Sequence, residues 1–177
     1  MHTLGDVRTY CERKGKQRII LDTNLLLLLL VGTCDKGFIS KCACLNMYTD
    51  EDYELLISTL RYFKSEIVIT PHILAEFSDF LRRDVKEPKL SHYLHIIVGK
   101  LKNYSEEHIP LQVILATKMT SLLMLGFPDT SIVEAAKRIK ATILTEDTGL
   151  GIYADSAGIP NVKFKAMKAD RLLYRTV

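Results

Sequence analysis

Four short apolar runs, at residues 18–21, 66–70, 141–145 and 161–164, are separated by much longer stretches of helical period. Strands with helices between them need crossover connections, and such crossovers make neighbouring strands parallel. The expected fold is therefore α/β, with three α/β/α layers around a central, mostly parallel sheet. The whole chain, 1–177, reads as one domain, a length at which about 70% of the unfolded surface can be buried. Residues 25–31 are all apolar and follow Asp22-Thr23-Asn24 directly. A membrane span needs about 20 such residues, so this run is expected to be a buried helix.

Local signals place the other helices. Thr49 and Asp52 form a capping box, with Asp replacing the usual Glu, before a helix whose Tyr53, Leu56, Ile57 and Leu60 share a face. Pro71 suits the first turn of a helix carrying Ile73, Leu74, Phe77 and Leu81. Ser105 is expected to cap a helix that runs through Ile109 and Leu111 to Leu125 and stops at Gly126. Pro128 opens the next, with Ile132, Val133, Ala135, Ala136 and Ile139. Residues 32–46 read as an irregular insertion.

Hydrophobic residues make up 47% and charged residues 25%, which excludes a disordered, collagen-like or disulfide-scaffold chain. The net charge of +3 is unevenly spread: residues 8–18 and 161–177 each sum to +4, leaving −5 for the rest. Basic ends can guide a phosphate backbone, and they serve equally as solubilising surface. The first fifteen residues are polar and charged, without the apolar stretch of a secretory signal. A cytoplasmic protein with reduced cysteines and no membrane association is expected.

In an open α/β sheet, ligands bind at the carboxyl ends of the strands. The first strand ends in Asp22 and the third in Thr145-Glu146-Asp147; Asp129 starts the helix feeding that third strand, and Glu76 lies on the helix after the second. If these strands are neighbours, Asp22, Glu76, Asp129 and Asp147 can converge on one pocket. Carboxylates about 4 Å apart repel by roughly 4 kcal/mol at an effective dielectric near 20, and a hard divalent cation such as Mg²⁺ or Mn²⁺ relieves that cost. Phosphodiester hydrolysis is the chemistry that uses such a centre. Each acid also has a plainer reading: Asp22, Asp147 and above all Asp129, beside Pro128, can cap helices, and Glu76 can be an exposed helix residue.

Four blocks, in order, carry a resemblance to a family: Ile19-Ile20-Leu21-Asp22-Thr23-Asn24; Val68-Ile69-Thr70-Pro71-His72-Ile73-Leu74-Ala75-Glu76; Asp129-Thr130-Ser131-Ile132-Val133-Glu134-Ala135-Ala136; and Ile143-Leu144-Thr145-Glu146-Asp147. In these the chain resembles the PIN-domain ribonucleases from Ile19 to about Phe164. The resemblance implies Mg²⁺- or Mn²⁺-dependent cleavage of RNA by a quartet of Asp22, Glu76, Asp129 and Asp147, supported by hydrogen bonds from Asn24 and Thr145. Many members are toxins restrained by an antitoxin, others are housekeeping nucleases, and the family often forms homodimers. An antitoxin and a second copy are thus the protein partners it implies, with residues 110–125 as a candidate dimer surface. The chain departs from the pattern at Gly149, where many members carry a further acid. It departs again in a long segment between the first two blocks that holds Cys34, Cys42 and Cys44.

The competing readings are weaker. A haloacid-dehalogenase-like enzyme wants a second Asp where Asn24 stands, a receiver domain wants a lysine at a strand end where Lys163 lies within a run, and no phosphate-binding glycine loop is present. The C-x7-C-x-C spacing lacks paired zinc knuckles, so inert thiols are expected there. Asp155 and Glu146 are expected on solvated loops, and His92 and His95 on a surface helix. A PIN-fold module that binds RNA or protein without cleaving is the main alternative, and metal-dependent turnover separates the two.

Overall fold

The computed structural model describes residues 17–175, with side chains to residue 169; the basic residues Arg8, Arg13, Lys14 and Lys16, Cys11, and the side chains of Arg171 and Arg175 lie outside it. Among the described residues five strands, one more than expected, form a single parallel sheet: β1 (Arg18–Leu21), β2 (Glu66–Ile69), β3 (Ser105–Glu106), β4 (Thr142–Thr145) and β5 (Asn161–Lys163). Their order is β3-β2-β1-β4-β5. Ile20 is in register with Val68 on one side and with Ile143 on the other. The chain therefore builds outward from β1 to β2 and β3, then returns to β1 and builds the other way. The sheet is flanked by helices in three α/β/α layers, as the alternating pattern requires.

Among the described residues the helices are α1 (Thr23–Cys34), α2 (Asp50–Tyr62), α3 (Pro71–Asp84), α4 (Lys89–Leu101), α5 (Leu111–Leu115), α6 (Met119–Ile139), α7 (Thr148–Ser156) and α8 (Phe164–Arg175). The capping box at Thr49 and Asp52 forms in full, and Pro71 stands in the first turn of α3, behind Thr70 as N-cap. Between α1 and α2 the expected insertion is two short 3₁₀ turns, Lys36–Lys41 and Ala43–Leu45. No helix among the described residues is long and apolar enough to cross a membrane.

The helix expected from Ser105 to Leu125 is not continuous: residues 111–115 and 119–125 are helical, in two separate pieces. Ser105 caps nothing: it opens β3, pairs with Val68, and donates its hydroxyl to Glu66 Oε1 at 2.7 Å. A two-residue strand carries no readable periodicity, and Pro110 delays the following helix to Leu111. The break expected at Gly126 is present inside α6, where φ is 70° and ψ −177°. Glycine adopts that left-handed backbone without a Cβ penalty, and Pro128 restarts the helix.

α1 is the centre of the core. All seven residues from Leu25 to Val31 are at most 4% exposed, as expected of a helix that is apolar on every side. Gly32 extends that packing: a Cβ there would lie 2.3 Å from the Tyr53 ring of α2, so the two helices approach through the missing side chain. Truncating Leu28, which is fully buried, should remove transfer energy and leave a cavity. Leu28→Ala is expected to cost about 2–5 kcal/mol, read as a lower urea midpoint at unchanged slope.

Candidate functional site

The strand order reverses at β1, so the carboxyl ends of β1 and β4 form the switch point, where this architecture places its ligand crevice. Asp22 lies buried at that point. As N-cap of α1 it accepts Leu25 N on Oδ1 at 2.8 Å. Its Oδ2 accepts the Thr145 hydroxyl at 2.6 Å and Glu146 N at 2.7 Å, both from the end of β4. Burial pushes the Asp22 carboxyl up, while those three donors, with Asp147 N, pull the other way. Every hydrogen bond it accepts favours the ionised form.

Thr145 joins two acids. While donating to Asp22, its oxygen accepts Asp147 N at 2.9 Å. Asp147 in turn caps α7, accepting Leu150 N on Oδ1 at 2.7 Å, and is exposed. Glu76, half-buried on α3, accepts the Thr23 hydroxyl on Oε2. Asp129 lies past the Gly126 break in α6, and a buried hydroxyl chain fixes that segment. Ser131 donates to Pro128 O at 2.6 Å and lies 2.8 Å from the Thr70 hydroxyl, whose oxygen accepts Ile73 N. Since Ser131 spends its one proton on Pro128, Thr70 is the donor between the two hydroxyls. The start of α3 and the Asp129 segment are thereby held together.

These positions bring the four predicted acids to one crevice, graded from buried Asp22 through half-buried Asp129 and Glu76 to exposed Asp147. Asp129 registers the meeting most strongly. Its carboxyl is pushed up to about 7, by burial first and then by the charges of Asp22, Asp147 and Glu76. The quartet is nevertheless open: among the described residues, the one group of three ligand atoms within 4.8 Å of one another lies elsewhere, at Cys42, Cys44 and Asp84. Wider spacing lowers the mutual repulsion of carboxylates. An all-oxygen, all-carboxylate donor set suits a hard divalent cation in its coordination chemistry.

Several expectations change. Asp22 and Asp147 do cap helices, yet they also line the crevice, whereas Asp129 caps nothing by its side chain among the described residues. Asn24 is half-buried and forms no hydrogen bond with the quartet among the described residues; its neighbour Thr23 supplies that support, to Glu76. Glu146 is not a solvated loop residue. It is buried, and its Oε2 has no hydrogen-bond partner among the described residues. Burial pushes its carboxyl up against the pull of Lys168 and Lys165. The alternation of a strand end carries the signal: with Thr145 facing Asp22, the next side chain turns inward. Gly149 has a local reason, since a Cβ there would come within 3.1 Å of Asp147 Oδ1. Lys163 pairs with Asp155, which is exposed on α7 rather than in a loop, and His92 and His95 are exposed on α4.

The chain matches no family model and no curated protein. Among solved structures it is similar to a domain of a functionally unknown protein from Methanocaldococcus jannaschii DSM 2661. The identity is 17%, with 83% of this chain and 90% of that one covered, at a TM-score of 0.44.

The Asp129 proton makes stability pH-dependent. Its ordinary value is 3.8 and its folded value about 7, so between these limits the folded chain holds a proton that the unfolded chain has released. Stability must fall as pH rises through that window. With divalent ions chelated, Asp129→Asn should match wild type near pH 4 and exceed it near pH 8. The expected gain is about 1–3 kcal/mol, below the full conversion because Asp129 keeps some solvent access. Urea titrations at the two pH values measure it, and parallel profiles would remove Asp129 as the cause.

Proposed function

We propose that this chain is a Mg²⁺- or Mn²⁺-dependent endoribonuclease of the PIN type, hydrolysing RNA in the cytoplasm. The observation that carries the reading is the Asp129 carboxyl, held half-buried and facing three further acids at the switch-point crevice. Even at their open spacing, the other three acids raise the hold of Asp129 on its proton, and a fold that places such acids through threonine hydrogen bonds gains little from it without a cation. The order of the four blocks along the chain supports the RNA substrate through their resemblance to PIN-domain nucleases.

In this mechanism Asp22, Glu76, Asp129 and Asp147 would hold the ion, which would supply an activated water and charge stabilisation at the leaving 3′ oxygen. Asp22 is the fixed point, because three donors leave its carboxylate a single orientation. Thr145 sets the spacing of Asp22 and Asp147 by bonding to both. Glu76 has one oxygen tied to Thr23, and its other oxygen orients the attacking water. In-line attack at phosphorus then yields a 5′-phosphate and a 3′-hydroxyl.

Cleavage of a labelled structured RNA and an unstructured RNA, in Mg²⁺, Mn²⁺ or EDTA, tests this. Wild type should cut in either metal and stop in EDTA, and Asp22→Asn should lose activity by at least about 100-fold. A folded wild type that neither cuts RNA nor binds Mn²⁺ would instead make the domain a non-catalytic binding module. Thr145→Val keeps the shape but removes the hydroxyl, an outer-shell change expected to lower activity about 10–100-fold. Its loss should be partly recovered at higher Mn²⁺ concentration, and an unchanged rate would mean that Thr145 does not position the acids.

A further inference from the structure

The second 3₁₀ turn of the insertion brings two sulfurs to the far end of α3. Cys42 Sγ and Cys44 Sγ are 3.2 Å apart, and Asp84 Oδ2, from the last residue of α3, lies 3.5 Å from Cys42 Sγ while accepting Cys44 N at 2.8 Å. The three ligand atoms all fall within 4.8 Å of one another. They come from chain segments some forty residues apart, so the carboxylate is brought to the sulfurs by tertiary packing of α3 on the insertion.

We propose that Cys42, Cys44 and Asp84 form a binding site for a thiophilic divalent cation of the zinc class. Tetrahedral zinc, with bonds of about 2.3 Å to sulfur and about 2.0 Å to oxygen, separates two sulfurs by roughly 3.8 Å and sulfur from oxygen by roughly 3.5 Å. The Cys42 sulfur–Asp84 oxygen distance already has that value, and a small rotation of the half-buried Cys44 side chain opens the sulfur pair. A disulfide would need the sulfurs at about 2.05 Å and would gain nothing from the carboxylate; a cation needs it.

Charge and support agree with that assignment. Two thiolates and a carboxylate carry −3, which a divalent cation reduces to −1. Arg83 Nε, 3.7 Å from Asp84 Oδ1, offsets the remainder and leaves Oδ2 turned toward the sulfurs. Cys42 is fully buried but Cys44 is only half-buried, so water can fill the fourth position. Sulfur ligands select against Mg²⁺ and Mn²⁺, so this centre and the carboxylate crevice would not compete for one ion. Its effect is structural: the ion staples the insertion between α1 and α2 to α3, the helix that carries Glu76 two turns upstream.

The test uses the full chain, reduced, stripped by chelation and titrated with Co²⁺, whose thiolate complexes absorb in the near ultraviolet. Wild type should develop that absorption with one equivalent and, when the stripped chain is instead reloaded with Zn²⁺, should bind one ion per chain in native mass spectra. Cys42→Ser and Cys44→Ser should lose both signals. Asp84→Asn, which keeps an acceptor for Cys44 N and so the local fold, should weaken binding by about 10-fold or more. Cys34→Ser and Asp22→Asn should leave both signals unchanged, which separates this site from the crevice. Absence of the absorption in folded, reduced wild type would overturn the proposal. So would equal loss in Cys34→Ser, or tight binding that survives Asp84→Asn and either cysteine change.

Discussion

A helix apolar on every side cannot leave its first N–H groups to water, and Asp22 is what answers that need for α1. The seven buried residues behind it fix the helix inside the molecule, so an acceptor has to be buried with its amino end. A carboxylate is the strongest such acceptor, but it brings a charge into the interior. That charge is met by donors from the neighbouring strand, Thr145 and Glu146. Capping and charge placement are thus one requirement, and the carboxyl ends of β1 and β4 are tied together by it.

The same logic lets a single side chain both cap a helix and line the crevice. Asp147 caps α7 and faces the crevice with the same carboxylate, and Thr145 serves both acids with one hydroxyl. Only Asp129 and Glu76 reach the crevice without capping a helix. The Asp129 carboxyl is pushed up to about 7, and its segment is fixed by the Thr70 and Ser131 hydroxyls and the Gly126 break.

Much of this was legible in the sequence because the relevant signals are local. An acid after an apolar run, Pro71 after Thr70, the box at Thr49 and Asp52, and the Gly126–Pro128 punctuation each specify a few residues of backbone. The illegible parts depend on distant partners. β3 exists because Val68 and Glu66 offer an edge to Ser105, not because of its own two residues. Thr23 rather than Asn24 reaches Glu76 because the first turn of α1 rotates adjacent residues by about 100°. The Cys42–Cys44–Asp84 group could not be read from C-x7-C-x-C, since its third member arrives from the end of another helix.

The strand order carries a consequence for the order of events in synthesis. β1 is completed by β2 within some fifty residues, but its other neighbour, β4, lies more than a hundred and twenty residues downstream. Closing so long a loop is slow, and parallel pairings of this kind raise contact order. A nascent chain that has emerged only through β3 carries β1 with one edge bare, Asp22 without Thr145, and neither Asp129 nor Asp147. Such a fragment is exposed to edge-to-edge association and has no complete crevice. The crevice can assemble only after Asp147 has emerged, so the topology delays its completion until the long crossover from β1 to β4 has closed.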